Sequence, residues 1–278
     1  MKLGWIGLGY MGVPMAKNLI NAGYSTAVYN RTRDKELELL ELGAESMLPD
    51  QMVSECDIIF TMLSDDEAVK DVYTGCNGLV SDDYSGKLIV NMSTISATTS
   101  KEMSDACKAK GIRYLEAPVS GSVKPAIDGT LIILVGGDAS DLKVADPMFE
   151  IMGKLTMFMG EVGQGALAKL AINYYLGVQM QSLAETVLFA EKNGISKEDM
   201  LKIVNDGACG SAISNIKTAP ILNNEFPAAF PLKHLLKDIR LANEAGLDFP
   251  LMQPLHEQFK KANEELGEED IAAIIKSL

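Results

Sequence analysis

Lys2-Leu3-Gly4-Trp5-Ile6-Gly7-Leu8-Gly9-Tyr10-Met11-Gly12 is the stretch from which the fold is read. An apolar run, Leu3–Ile6, has strand character and passes directly into a GxGxxG turn, and a helical pattern follows over Met11–Ala22. Each glycine of such a turn has its own task. Gly7 permits the tight bend, Gly9 lets the backbone approach a pyrophosphate with no Cβ in the way, and Gly12 allows close packing of helix on strand. The helix N-terminus then offers unpaired N–H groups to an anion. The whole segment, with Leu8, Tyr10 and Met11 between the glycines, is therefore expected to bind a dinucleotide.

Outward from this turn, short apolar runs alternate with amphipathic stretches to about residue 160, the mark of βαβ units and a parallel sheet. Strands are predicted at Leu3–Ile6, Thr26–Tyr29, Ile58–Leu63, Leu88–Met92, Arg113–Glu116, Leu131–Val135 and Met157–Met159. Helices are predicted at Met11–Ala22, Asp34–Leu42 and Ser96–Lys110, the last begun by Ser/Thr residues able to cap it. Beyond Gly165 the strand signals stop. A long apolar helix is expected from Ala166, and at ~1.5 Å per residue some 27 residues of it would span about 40 Å. Ser196 with Asp199 resembles a capping box. Pro220, Pro227, Pro231, Pro250 and Pro254 are expected to divide the remainder into shorter helices. The predicted architecture is a Rossmann-type α/β domain over 1–162 and an all-α domain over 163–278, joined by the long helix.

Composition narrows the function. Lys and Arg number 25 against 38 Asp and Glu, a formal charge of −13 with no basic block, which argues against nucleic acid as a partner. Two histidines and four cysteines, Cys56, Cys76, Cys107 and Cys209, fall at no metal-ligand spacing, so no metal is expected. Met1-Lys2 runs straight into a strand rather than an apolar leader, which places the expected location in the cytoplasm with reduced thiols. Ala166–Ala190 approaches the length of a membrane span, but Lys169, Asn173, Gln179, Gln181 and Glu185 interrupt it, so no membrane partner is expected.

At the end of the second predicted strand stands Asn30-Arg31-Thr32, where a free ribose 2′-hydroxyl would usually meet Asp or Glu. A guanidinium in place of a carboxylate suits a 2′-phosphate, so NADP(H) is preferred over NAD(H). The competing reading is a solvated Arg31 beside Asp34.

Three further segments follow in order: Glu116-Ala117-Pro118-Val119-Ser120-Gly121, Gly163-Gln164-Gly165 through Lys169 to Asn173, and Phe230-Pro231-Leu232-Lys233-His234 through Lys237-Asp238. With the glycine turn they resemble the β-hydroxyacid dehydrogenase family over essentially the full chain. Val119-Ser120-Gly121-Ser122-Val123-Lys124-Pro125-Ala126 is similar to its glyoxylate/succinic semialdehyde reductase subgroup, where 3-hydroxyisobutyrate dehydrogenases usually carry VSGG. The resemblance implies NADPH-dependent reduction of a small semialdehyde or 2-oxo acid, and the long helix favours a homodimer or homotetramer.

It also implies site residues. Lys169 takes the proton-transfer role, and burial in an apolar helix would lower its ammonium pKa toward a useful range. Asn173, at i+4, shares its helix face and hydrogen-bonds substrate or the lysine. Ser120, Gly121 and Ser122 receive the substrate carboxylate, and Thr94, at a strand's carboxyl end, touches cofactor and substrate. Met62 and Leu63, read from their place at the end of a predicted strand, would line the nicotinamide side, and packing explains their apolar character equally. Phe230, Lys237 and Asp238 are carried over as cleft-closing residues, Lys237 toward the cofactor, Phe230 and Asp238 toward the substrate. His234 falls at no catalytic position and is expected to be a packing or surface residue. Two alternatives stay open: an NAD-dependent 3-hydroxyisobutyrate-type dehydrogenase, and a non-catalytic dinucleotide-binding module.

Overall fold

The computed structural model describes residues 1–82 and 84–278. It divides into two compact units, Met1–Lys169 and Leu170–Leu278.

In the first unit the strands are β1 (Lys2–Ile6), β2 (Ser25–Tyr29), β3 (Glu45–Ser46), β4 (Ile58–Thr61), β5 (Leu88–Asn91), β6 (Arg113–Glu116), β7 (Val119–Ser120), β8 (Leu131–Gly137) and β9 (Gly153–Gly160). The helices between them are α1 (Gly12–Asn21), α2 (Leu37–Glu41), α3 (Pro49–Glu55), α4 (Asp66–Thr74), α5 (Ala97–Ala109), α6 (Val123–Ile127) and α7 (Ala139–Met152). They form one sheet in the order β3-β2-β1-β4-β5-β6-β8-β7, with β9 paired to β8. From β3 to β6 all pairings are parallel. The parallel run ends there: β8 lies antiparallel to both β6 and β7, and β9 returns parallel to β8.

The chain winds outward from β1 to β2 and β3, then back to β4 on the other side of β1, so the strand order reverses between β1 and β4. Ligands of open α/β sheets gather at the carboxyl ends of strands at such a reversal. Ile6 is paired with Thr61 there, so the glycine turn and the Met62-Leu63 segment leave the sheet side by side.

Alternation along the strands sends their side chains to two cores. Leu3, Trp5, Ile58, Phe60, Leu88 and Val90 pack with Met15 and Leu19 of α1 and with Met148, Phe149 and Met152 of α7. Ile6, Ile59 and Ile89 pack on the opposite face with Tyr73 of α4 and Met103 and Cys107 of α5. Trp5 stacks on Phe60 with ring centroids 5.5 Å apart.

The second unit is helical. α8 (Gln164–Lys192) enters it and is followed by α9 (Lys197–Asp206), α10 (Ala212–Asn223), α11 (Leu232–Glu244) and α12 (Met252–Leu266). Ser196 caps α9 by accepting the Asp199 N–H. The proline expectation is corrected at two positions. Pro220 lies inside α10, and Pro254 sits in the first turn of α12, where no intrahelical N–H bond is lost. Among the described residues, no helix is long and apolar enough to cross a membrane.

Candidate active site

The turn after β1 shows which glycines the protein itself requires. A Cβ on Gly7, whose φ is +98°, would lie 2.2 Å from the Met62 carbonyl oxygen. A Cβ on Gly12 would lie 1.9 Å from the Gly7 carbonyl oxygen and 3.2 Å from Trp5 Nε1. Gly9 is different: nothing lies within 4 Å of its Cβ position. Packing therefore demands glycine at 7 and 12 but leaves Gly9 facing open space, as a close approach by a ligand would need. α1 begins with Met11 at its N-cap, no side-chain cap and no acid in the first turn. A cavity of about 830 Å³ opens here, bordered by Leu8, Gly9 and Tyr10, by Val13 and Lys17 of α1, and by Asp34, Lys35 and Glu38. The open Gly9 position and the uncapped start of α1 fit the phosphates of a dinucleotide.

The turn is held from β2. Asn30 accepts the Leu8 N–H through Oδ1 at 2.9 Å and donates through Nδ2 to the Thr32 carbonyl at 2.8 Å. Arg31 and Thr32 are exposed. Behind them lies an acid that sequence reasoning missed. Glu36 is buried and accepts from the Asn30 N–H at 2.9 Å, Arg33 Nη1 at 3.1 Å and Ser46 Oγ at 2.6 Å. Arg33 also lies over the Tyr29 ring, 5.1 Å from its centroid. The spacing Asn30-x₅-Glu36 was the available signal, but only the fold of β2 and β3 brings Ser46 to it.

Met62 and Leu63 stand just beyond β4 rather than within it, both half-buried. Leu63 donates its N–H to Ser93 Oγ at 2.8 Å, and the Ser93 N–H donates to Asn91 Oδ1 at 3.0 Å. Ser93, a second residue that sequence reasoning passed over, thus fastens the Leu63 segment to the end of β5 next to half-buried Thr94. Ser120 ends β7, Gly121 has φ +133° and Ser122 precedes α6. A Cβ on Gly121 would meet Leu131 Cδ2 at 2.7 Å, so this turn also requires glycine. Lys169, on α8, is only 7% exposed.

In the helical unit Asn173 is buried on α8 and donates through Nδ2 to Asp238 Oδ2 at 2.5 Å. Asp238 is 1% exposed; among the described residues its Oδ1 makes no hydrogen bond but has Lys237 Nζ at 3.3 Å. Phe230 is half-buried, and its N–H donates to Asp270 Oδ2 at 3.1 Å. Asp270 is itself buried in an ion pair with Lys217 at 2.7 Å. His234 is half-buried, and burial together with Lys237 and Lys233 pushes its pKa below the ordinary 6.5. Burial raises the Cys56 and Cys107 thiols to about 11 and about 12. Among the described residues no cluster of His, Cys, Asp or Glu could hold a metal ion.

Two family models match in tandem: the NAD binding domain of 6-phosphogluconate dehydrogenase over residues 2–161, and the NAD-binding domain of NADP-dependent 3-hydroxyisobutyrate dehydrogenase over 163–278. The chain is similar to glyoxylate/succinic semialdehyde reductase 2, chloroplastic, of Arabidopsis thaliana, with 39% identity across 100% of this chain and 79% of that protein. Reductase 1 of the same plant is 38% identical across 100% of this chain and 98% of its own length. Human cytokine-like nuclear factor N-PAC is 35% identical across 99% of this chain and 51% of its own. Among solved structures, Mycobacterium tuberculosis 3-hydroxyisobutyrate dehydrogenase with L-serine superposes with a TM-score of 0.87 at 29% identity, covering 99% of this chain and 98% of that one.

Proposed function

We propose, for a chain that belongs to the β-hydroxyacid dehydrogenase family and is an oxidoreductase binding a nicotinamide dinucleotide, that it reduces glyoxylate or succinic semialdehyde with NADPH. The observation that carries this reading is Lys169, a lysine buried near the start of α8 in a chain that also carries an open Gly9 at its phosphate turn. The names of the two plant relatives support the substrate class.

A bound reduced nicotinamide would supply hydride to the carbonyl carbon. Lys169 holds the proton that the carbonyl oxygen takes up as charge develops on it. Asn173, one turn further along α8, orients the polar end of the reaction. Ser120, Gly121 and Ser122 receive the substrate carboxylate, with Thr94 contacting substrate and cofactor. Phe230 and Asp238 serve the substrate and Lys237 the cofactor. At the other end of the dinucleotide, Asn30 shapes the turn while Arg31 and Thr32 face the 2′-phosphate. The buried acid nearby does not oppose an anion there, since the Glu36 carboxyl is already matched by Arg33.

Residues 1–162 form the cofactor domain and 163–278 the substrate and assembly domain of a cytoplasmic homodimer or homotetramer with no nucleic-acid or membrane partner. Exposed Ile172, Tyr175 and Phe189 on α8 favour a partner for that helix. The second reading, a dinucleotide-binding module without turnover, would need only the dinucleotide-binding domains that the two family models describe.

The test is NADPH oxidation with glyoxylate, succinic semialdehyde, methylmalonate semialdehyde and tartronate semialdehyde. Turnover on the first two is expected, and silence across all four would favour the second reading. Lys169→Ala is expected to lower kcat by at least about a hundredfold, the usual scale of acid catalysis, with NADPH affinity nearly intact. Arg31→Asp is expected to erase the preference for NADPH over NADH; an unchanged ratio of kcat/KM values removes Arg31 from phosphate recognition.

A further inference from the structure

Every backbone N–H at the start of α8 can be traced to its acceptor, and most go to one distant side chain. Helix starts leave their first N–H groups without an intrahelical partner. The residues just before α8, Glu161-Val162-Gly163, include no Ser, Thr, Asp or Asn to cap it locally. Gln164 N–H bonds the Glu161 carbonyl at 3.1 Å, and Leu167 N–H bonds the Gly163 carbonyl at 3.0 Å. The N–H groups of Gly163, Gly165 and Ala166 all donate to Glu116 Oε1, at 2.7, 2.7 and 3.2 Å. Glu116 is the last residue of β6 and only 2% exposed.

The carboxyl has a built seat. Gly136 of β8 is its register partner, and a Cβ there would lie 2.4 Å from Glu116 Oε1. A Cβ on Gly165 would lie 3.1 Å from the same oxygen and 2.5 Å from the Leu134 carbonyl oxygen. Gly136 and Gly165 both lack the positive φ that would otherwise call for glycine. The space they leave accommodates the carboxyl and the backbone beside it.

The other oxygen joins a buried chain of hydrogen bonds. Ser100 Oγ donates to Glu116 Oε2 at 2.5 Å and lies 3.1 Å from Tyr114 Oη, to which Asn91 Nδ2 donates at 3.2 Å. Asn91 Oδ1 accepts the Ser93 N–H, and Ser93 Oγ accepts the Leu63 N–H. Burial keeps the Tyr114 hydroxyl well above its ordinary pKa, so it stays a neutral link. The chain runs unbroken from the first turn of α8 to the segment carrying Met62 and Leu63. Four residues beyond Glu116 along the backbone is Ser120.

We propose that Glu116 is a positioning residue: its carboxyl fixes the first turn of α8, and hence the placement of Lys169, against the strand end from which the Ser120–Ser122 segment departs. The proposal rests on the proton-donor reading of Lys169. A lysine one turn into a helix inherits any displacement of that turn, and a misplacement of about 1 Å costs on the order of a hundredfold in rate.

The test compares Glu116→Ala, Glu116→Gln and Lys169→Ala in the full chain. Glu116→Ala is expected to lower kcat roughly a hundredfold while substrate KM and NADPH Kd stay within about twofold. Glu116→Gln, which keeps an acceptor for the N–H groups, is expected to recover at least about tenfold of that loss. Amide hydrogen exchange should quicken over residues 163–170 in Glu116→Ala and remain slow in β1 and β4. Wild-type kcat in Glu116→Ala, or exchange raised equally throughout the chain, overturns the proposal. Full turnover in Lys169→Ala overturns the reading beneath it; an inactive Lys169→Ala beside a fully active Glu116→Ala overturns the positioning role alone. Should Glu116→Ala not fold, Ser100→Ala, which removes the contacts to Oε2 and to the Tyr114 hydroxyl but leaves Oε1 on the α8 N–H groups, is read the same way: a several-fold fall in kcat at constant KM supports the role, and unchanged kcat ends it.

Discussion

At Gly9 a methyl group would touch nothing, whereas at Gly12 it would collide with the carbonyl of Gly7. Two glycines of one motif are thus required by different things, and substitution separates them. Gly12→Ala is expected to destabilise the fold, because backbone must move to admit the methyl. Gly9→Ala is expected to leave stability within about 0.5 kcal/mol, the usual range for an uncrowded surface change, while weakening dinucleotide binding clearly. Thermal unfolding paired with cofactor titration checks both. Equal losses of stability in the two variants would refute the separation. Glu36 makes a related point about legibility. The motif Asn30-Arg31-Thr32 is readable as a phosphate-facing end of β2, but the buried carboxyl behind it needs β3 beside β2 to bring Ser46 within 2.6 Å.

Among the elements, α8 couples sequence to site most directly. Its length was legible, since apolar residues with scattered polar ones run from Ala166 without a proline, and the helix extends over Gln164–Lys192. Its N-terminal anchorage was not, because Glu116 lies 47 residues before Gly163 in the chain. Further along, Asn173 supplies the hydrogen bond to a buried carboxyl on α11. Asn173→Leu leaves Asp238 with Lys237 as its remaining partner among these contacts and is expected to cost about 1–3 kcal/mol. Urea unfolding of the variant checks this; a midpoint equal to that of the parent would show that the Asp238 carboxyl gains nothing from Asn173. Elements of two residues, β3 and β7, escape any periodicity, which needs several alternations to register. The prolines of α10 and α12 mislead because a proline signals a break only where the lost N–H bond has no substitute or was needed at all.

For the molecule as a whole, a formal charge of −13 counts acids without saying where they act. Locally the glycine turn leaves an uncapped helix start and open space at Gly9, so an acidic protein can still serve an anionic dinucleotide. His234 gives global stability a pH lever. Burial first, then Lys237 and Lys233, holds the His234 pKa below its ordinary 6.5. The unfolded chain therefore binds this proton more readily than the folded one. The associated stability is fully present above that value and is lost as the pH falls through and below it. Calorimetry at pH 7 and pH 5 is expected to show a drop in Tm that shrinks in His234→Gln. An identical drop in the variant would assign the acid sensitivity elsewhere.

From sequence alone follow the dinucleotide turn, the division between strand-rich and helical regions, and the family, because each rests on local spacing: glycines at 7, 9 and 12, period-two runs, and a lysine and asparagine four residues apart. Tertiary structure alone decides the antiparallel setting of β8, since an apolar run reads the same in either direction. It also decides that Ser93 holds Leu63 and that Glu116 holds the start of α8. Those contacts join residues 30 to 50 positions apart. Hydrogen bonds over such separations exist only once the sheet has set its strand order, and nothing in the neighbouring residues records them.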